Sequence, residues 1–88
     1  MSERLRLVPT LEWREVEGEI VALDLDDSVY LAANASGALL WRTLGEGTTR
    51  AELVAQLAEA YSLPPAEAER DVSAFLARLD ERGYLERS

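Results

Sequence analysis

The stretch from Ser28 to Trp41 marks a change in the periodicity of this chain, and that change limits what the chain can fold into. Before it, apolar residues alternate with polar ones, which is typical of β-strands; after it, they recur every three or four residues, which is typical of helices. We therefore predict an α+β domain in which a three-stranded antiparallel sheet is followed by three helices, as in a winged helix-turn-helix. The ring of Trp41 is expected to hold the first helix against the sheet.

The alternating part of the sequence predicts a β-meander. Glu17-Gly18 and Asp26-Asp27 separate three runs of alternating residues, because residues of these types favour tight turns. In the third run, Val29 and Leu31 are expected on one face and Tyr30 on the other. The three runs cover residues 11–16, 19–25 and 28–32.

Three helices are predicted from capping residues and apolar stripes. Asn34 is suited to cap the first helix, which should end before Gly45. Thr49 and Glu52 match a capping box that opens the second helix. The third begins at a Pro-Pro pair, and Gly83 is suited to end it. The expected helices cover residues 35–44, 50–61 and 65–82.

Residues 1–10 are expected to form an N-terminal arm, and residues 11–88 a single domain. The arm continues as Leu5-Arg6-Leu7-Val8 before Pro9, which is compatible with an extended segment or a loosely held strand. A chain of 88 residues has the length of one domain, and its hydrophobic fraction of 48% is sufficient for one core.

The composition excludes several classes of function. The chain has no cysteine and no histidine, so disulfides, thiolate metal sites and histidine-based catalysis are impossible. Seventeen acidic residues against nine arginines give a net charge of −8, which repels the phosphates of nucleic acids. Most of these acidic residues have the ordinary role of keeping a small domain in solution.

No motif in the sequence predicts catalysis. Ser36 lacks a histidine or a G-x-S-x-G turn, no glycine-rich phosphate loop is present, and no motif pairs two carboxylates for acid–base work. Asp24, Asp26 and Asp27 lack the glycine and terminal glutamate of a calcium loop. We therefore expect a protein that is not an enzyme and uses no metal or cofactor. Because no secretory signal or membrane-spanning stretch is evident, a cytoplasmic location is expected.

The last helix has apolar and charged residues beyond those needed to pack one of its faces against the core. Its core stripe consists of Ala68, Val72, Leu76 and Leu79. Phe75 lies on the shoulder of this stripe, and Asp71, Arg78 and Arg82 form a charged row beyond it. Periodicity alone leaves two interpretations: the wall of a groove, or a core aromatic beside a solvated flank.

Ordered motifs run through residues 11–86. They are Tyr30-Leu31, Asn34-x-Ser36-Gly37 with Leu40-Trp41, the turn before Thr48, Leu57-Ala58-x-x-Tyr61, Asp71-Val72-x-x-Phe75-Leu76-x-x-Leu79, and Gly83-Tyr84-Leu85. In order and spacing they resemble the PqqD-like family, the peptide-chaperone domains also called RiPP recognition elements, where RiPPs are ribosomally synthesised and post-translationally modified peptides. Ala33 departs from the leucine that family members often carry, and Glu46-Gly47 from a common Asp-Gly. The connection from Trp41 to Gly47 is more similar to the stand-alone recognition proteins of lasso-peptide pathways.

The resemblance implies that the protein binds the leader peptide of a precursor. In that family the leader adds a strand to the third strand of the sheet and lies against the last helix. The implied contacts are Ser28, Val29, Tyr30 and Leu31 on the strand, and Asp71, Phe75, Arg78, Leu79 and Arg82 on the helix. Val29, Leu31, Phe75 and Leu79 would line an apolar pocket. Arg78 and Arg82 would pair with acidic leader residues, and Asp71 with a basic or hydroxyl group.

The implied role is delivery of the precursor to a separate leader peptidase that resembles a cysteine protease, with a cyclase acting afterwards. The apolar residues of the N-terminal arm are candidates for the surface that contacts such a partner. No nucleic acid or membrane is expected as a partner.

Three alternatives stay open. A PqqD-type chaperone would present its precursor to a radical enzyme. A winged-helix DNA-binding module would have the same order of elements, but its recognition helix should be basic, and residues 65–82 carry five acidic residues against three arginines. A dimerisation module would bury the edge strand between two copies.

Overall fold

The computed structural model describes residues 3–23, 29–32 and 34–88, with the backbone alone for residues 29–32. In chain order the elements are β1 (Arg4–Leu7), β2 (Glu12–Val16), β3 (Glu19–Leu23), β4 (Val29–Ala32), α1 (Ala35–Glu46), β5 (Thr48–Thr49), α2 (Arg50–Tyr61), α3 (Pro65–Glu81) and β6 (Leu85–Arg87). The predicted α+β class, with a three-stranded antiparallel sheet and three helices, is confirmed.

The predicted meander forms the sheet β2-β3-β4, in which both strand pairs are antiparallel. Glu17 and Gly18 connect β2 to β3 with φ angles of +51° and +82°. Positive φ at both central residues is typical of a type I′ turn, whose twist suits a two-residue hairpin. Asp26, Asp27 and Ser28, which the sequence assigns to the next turn and strand, lie outside the described residues.

A second three-stranded sheet, in the order β5-β1-β6, was missed by the sequence prediction. Its central strand β1 pairs antiparallel with both neighbours. Leu5 and Leu7 of β1 are buried in the hydrophobic core. Residues 1–10, which were expected to form an arm, thus include the central strand of this sheet. Because Leu5 and Leu7 are buried, they do not offer a surface to a partner.

Helix α1 begins as predicted and ends later than predicted. The amide of Gly37 donates to Oδ1 of Asn34 over 2.7 Å, which confirms the expected cap. The helix continues to Glu46 rather than Leu44, and then Gly47, at φ +88°, donates its amide to the Leu44 carbonyl. The glycine that can adopt the left-handed conformation therefore marks the end of the helix.

Trp41 connects α1 to both sheets. Its side chain is fully buried, and its ring meets those of Trp13 and Tyr84 edge to face, at centroid distances of 6.1 and 6.3 Å. Trp13 belongs to β2, and Tyr84 precedes β6. The expectation that Trp41 holds the first helix against the sheet is confirmed, and such aromatic pairs contribute about 0.5–1.5 kcal/mol each beyond the area they bury.

Helix α2 begins at a variant of the predicted capping box. Glu52 donates its amide to Oγ1 of Thr49 over 3.2 Å, as expected. The Glu52 carboxylate accepts a hydrogen bond from the hydroxyl of buried Thr48 over 3.0 Å. This bond gives the buried hydroxyl a partner where the second sheet meets the helix.

Helix α3 ends in a Schellman motif at the predicted glycine. Gly83 has a φ of +73° and donates its amide to the Asp80 carbonyl, while Tyr84 donates to the Leu79 carbonyl, each over 3.0 Å. The motif turns the chain so that Tyr84 returns to the core, as predicted. Among the described residues, no helix is long and apolar enough to cross a membrane.

Arg87 connects β6 to α3 and to the start of the described chain. Its guanidinium donates to Oδ1 of Asp80 over 2.8 Å and forms an ion pair with Glu3 at 3.2 Å. The hydrogen bond from Arg87 lowers the pKa of the Asp80 carboxyl below its ordinary value. These contacts fix the C-terminal half of α3 against the second sheet.

Candidate functional site

Strand β4 forms one edge of the sheet β2-β3-β4. Residues Val29–Ala32 pair with Leu23–Ile20 of β3 on one side, and no strand within the described ranges pairs on the other. The outer side of β4 therefore offers backbone donors and acceptors to an added strand. Of the site residues predicted here, the side chains of Val29, Tyr30 and Leu31 and the whole of Ser28 lie outside the described residues.

A cleft of about 210 Å³, here called the α1–α3 cleft, opens between the start of α1 and one face of α3. It is lined by Asn34, Ser36, Gly37, Leu40, Leu57, Asp71, Ala74, Phe75 and Arg78. Asn34 follows the last residue of β4 by two positions. The cleft therefore begins close to the point where the edge strand ends.

The α1–α3 cleft has an apolar floor and a polar rim. Leu40, Leu57 and Phe75 form the floor, and their exposed fractions are only 2%, 1% and 3%. Asp71 and Arg78 are exposed and form part of the rim. An apolar base with a few polar groups at the mouth is the arrangement by which proteins take up a ligand's apolar group and orient its polar ones.

Helix α3 brings three of the predicted site residues together. Asp71, Phe75 and Arg78 follow one another at spacings of four and three residues, which places them on one face of the helix. The sequence left two interpretations of Phe75, as part of the wall of a groove or as a core aromatic, and each is correct in part. Phe75 is a buried core residue, and it also forms the floor of the cleft.

Two other predicted residues of α3 lie outside the cleft lining. Leu79 is fully buried, so it packs in the core and presents no surface to a ligand in this structure. Arg82 is exposed at the C-cap of α3. Leu79 thus supports the helix from behind, while Arg82 lies beyond the α1–α3 cleft.

The α1 side of the cleft was not predicted as part of the site. Asn34 was identified only as a helix cap, and its Oδ1 indeed accepts from the Gly37 amide and, over 3.2 Å, from the Ser36 hydroxyl. The sequence contained one indication of this part of the site, because Asn34 comes two positions after the edge strand ends and caps the next helix. The first turn of α1 therefore lies beside the end of that strand.

The site offers non-covalent recognition. Among the described residues of the cleft lining, Asp71 supplies the only carboxylate, and Arg78 supplies a guanidinium. Across the described residues, no three acidic side chains come together in a way that could hold a metal ion. The polar groups of the lining are suited to hydrogen bonds and ion pairs, and its floor is suited to apolar contact.

Comparison with known proteins identifies a family and similar solved structures. The model of the family described as coenzyme PQQ synthesis protein D (PqqD) matches residues 19–85. No curated protein sequence matches the chain. A solved structure of TbiB1 in complex with the TbiA(beta) leader peptide is 26% identical, with a TM-score of 0.84, over 92% of this chain and 94% of that one. A lasso peptide synthetase B1 complexed with the leader peptide is also 26% identical, with a TM-score of 0.80, over 93% and 96%.

Proposed function

This chain belongs to the PqqD family, and from that premise we propose that it binds the leader peptide of a RiPP precursor, of the lasso-peptide class, without catalysing a reaction itself. The two similar structures support the proposal, because both are complexes with a leader peptide and both match nearly the whole chain. The peptide would lie along β4 and place side chains in the α1–α3 cleft.

The observation that carries the proposal is an unpaired strand edge beside a cleft with an apolar floor. An extended peptide can add a strand to such an edge, where main-chain hydrogen bonds provide affinity. Alternate side chains of the added strand then point to one side, and pockets on that side provide specificity. The two features meet at Asn34, which lines the cleft and comes two positions after the end of β4.

The consequence of leader binding would be delivery of the precursor to a separate leader peptidase. A bound leader holds the rest of its precursor near the surface of this protein. If the peptidase docks on the same complex, the effective concentration of its substrate rises, reaching the millimolar range for short flexible linkers. The cyclase that follows would act on the released product.

A second candidate is favoured by the description of the family itself. The family is described as coenzyme PQQ synthesis protein D, and a chaperone of that type would present its precursor to a radical enzyme rather than to a peptidase. The strand edge and the cleft would have the same role in both cases. The two candidates differ in the precursor that is bound, so a binding experiment with defined peptides separates them.

The test is a fluorescence-anisotropy titration of the purified protein with the labelled leader segment of the short precursor encoded beside its gene. We expect a dissociation constant in the micromolar range or below. Replacing Leu31 with glutamate should weaken binding at least about tenfold, because it places a charge on the strand that the leader joins. The matched control is Val16→Glu, which makes the same kind of change at an exposed position on β2.

The possible results are distinct. Binding that is lost in Leu31→Glu and retained in Val16→Glu supports strand addition at β4. Equal binding by both variants contradicts the proposed strand edge. Failure of the wild-type protein to bind any neighbouring precursor, together with specific binding of duplex DNA in a gel shift at low salt, would favour the winged-helix alternative.

A further inference from the structure

We infer that the peptide segment held in the α1–α3 cleft carries a basic, an apolar and an acidic residue at alternate positions, with the basic side chain at Asp71, the apolar one over Phe75 and the acidic one at Arg78. This inference rests on the proposed function and specifies the class of peptide that the same site accepts. It follows from the charges, the spacing and the burial of the α3 residues that line the cleft.

The two charged groups of the rim are available to a ligand. Asp71 and Arg78 are exposed, and within the described ranges neither takes part in an ion pair or a side-chain hydrogen bond. Several other arginines do have acidic partners: Arg6 pairs with Glu86, Arg42 with Glu15, and Arg87 with Asp80. An incoming peptide can therefore pair with Asp71 and Arg78 without breaking an ion pair or side-chain hydrogen bond to the described part of the chain.

Asp71 and Arg78 do not form an ion pair with each other. Arg78 follows Asp71 by seven positions of the helix, and a rise of 1.5 Å per residue gives about 10 Å along the axis between the two backbone positions. The rim therefore presents an acidic site and a basic site that act separately.

The spacing of these sites suits an extended peptide. A strand rises about 3.3 Å per residue, and its side chains face one side at every second position. Residues at positions one, three and five thus span about 13 Å and share one face. The flexible side chains of the outer two residues can accommodate the difference from about 10 Å, while the middle residue lies over the buried ring of Phe75.

The same arrangement rejects other peptides. A segment with two acidic residues would place a negative charge beside Asp71, in a protein whose net charge is already −8. A segment with two basic residues would place a positive charge beside Arg78. Like charges brought together on binding disfavour the wrong partner, so the two rim residues select for a peptide of mixed charge.

The experiment measures the dissociation constant of the labelled leader for two charge-reversal variants, Arg78→Glu and Asp71→Lys. Each variant should bind about tenfold more weakly, as expected when a charge-assisted hydrogen bond is replaced by repulsion. The matched controls are Arg70→Glu and Glu81→Lys, which make the same changes at exposed α3 positions outside the cleft lining. Both controls should stay within about twofold of the wild-type protein, because their effect is limited to long-range charge.

A compensating change in the peptide then identifies the pair. Replacing the acidic leader residue with arginine should restore most of the binding to Arg78→Glu while weakening binding to the wild-type protein. Misfolding of the variant cannot produce such a rescue. If the leader binds the wild-type protein and all four variants equally well, or lacks the alternating pattern, the inference is wrong and the proposed function stands. If the leader does not bind the wild-type protein, the proposed function itself fails.

Discussion

The ring of Trp13 lies against the backbone of Gly45, so closely that a Cβ atom at position 45 would stand 2.8 Å from Cζ2 of the indole. Gly45 is inside α1, where glycine is unfavourable by roughly 1 kcal/mol relative to alanine. The contact explains why glycine is nevertheless suited to this position, because a larger residue would push the strand β2 away from the helix.

Gly45→Ala should therefore destabilise the protein, although the same change in an open helix would stabilise it. We expect the free energy of unfolding to fall by about 1–3 kcal/mol, the usual effect of overpacking. Urea denaturation followed by circular dichroism measures this change. In a Trp13→Leu background the ring is absent, and Gly45→Ala should become neutral or stabilising; a persistent loss in that background would contradict the proposed clash.

We expect Phe75→Ala to lower the free energy of unfolding. Because Phe75 is 3% exposed and belongs to the main core, we expect a loss of about 3–5 kcal/mol, a large part of the stability of a small domain. The midpoint of urea unfolding should fall accordingly. A loss below about 1 kcal/mol would show that Phe75 contributes to the cleft alone.

The ion pair between Asp80 and Arg87 should make a small, pH-dependent contribution to stability. The Arg87 guanidinium lowers the pKa of Asp80 in the folded state, so the stabilisation is present above the ordinary pKa of an aspartate, about 3.9, and is lost as the pH falls through the lower folded-state value. Because both side chains are about 40% exposed, with values of 43% for Asp80 and 41% for Arg87, we expect no more than about 1 kcal/mol.

Thermal unfolding of the wild-type protein and of Asp80→Asn tests this expectation. The difference in melting temperature between the two should be constant from pH 5 to pH 7 and should shrink as the pH falls below the ordinary pKa of an aspartate, about 3.9. It should also shrink at high salt, because the pair is exposed. A difference that persists unchanged at pH 2 would show that the substitution acts by another route.

Leader binding should slow amide hydrogen exchange in residues 29–32. An added strand gives new acceptors to the amides on the open side of β4, and we expect those amides to be protected at least about tenfold. Mass spectrometry of peptic fragments provides the measurement, with β6 of the second sheet as the internal control. Protection confined to α1 and α3 would place the peptide in the α1–α3 cleft without strand addition.

The structure was predicted correctly from the sequence where it depends on residues close together in the chain. The caps at Asn34 and Thr49 and the terminator at Gly83 act through hydrogen bonds within a few residues, and all three were predicted correctly. The hairpin at Glu17-Gly18 follows from the turn residues and the alternation on either side.

The features that the sequence did not predict depend on contacts between distant residues. Strands β5 and β6 have only two and three residues, too few for alternation to be recognised, and the pairing of β1 with β6 joins residues that are far apart in the sequence. The end of α1 was misplaced because Gly45 suits a contact with Trp13, thirty-two positions earlier, rather than a turn. The α1 side of the cleft was not predicted because it depends on contacts between distant residues. The α3 side was predicted because its residues recur at helical spacing.

The pairing of β1 with β6 has a consequence for how the domain can be joined to other chains. Arg4 and Ser88 exchange two backbone hydrogen bonds, of 3.2 and 3.0 Å, so the polypeptide enters and leaves the domain at neighbouring points. A domain built in this way can be inserted into a loop of a host protein with little disturbance. It can also be circularly permuted, with a short linker between the present termini and new termini at the Glu17-Gly18 hairpin. The cleft and the open edge of β4 would stay intact in either arrangement.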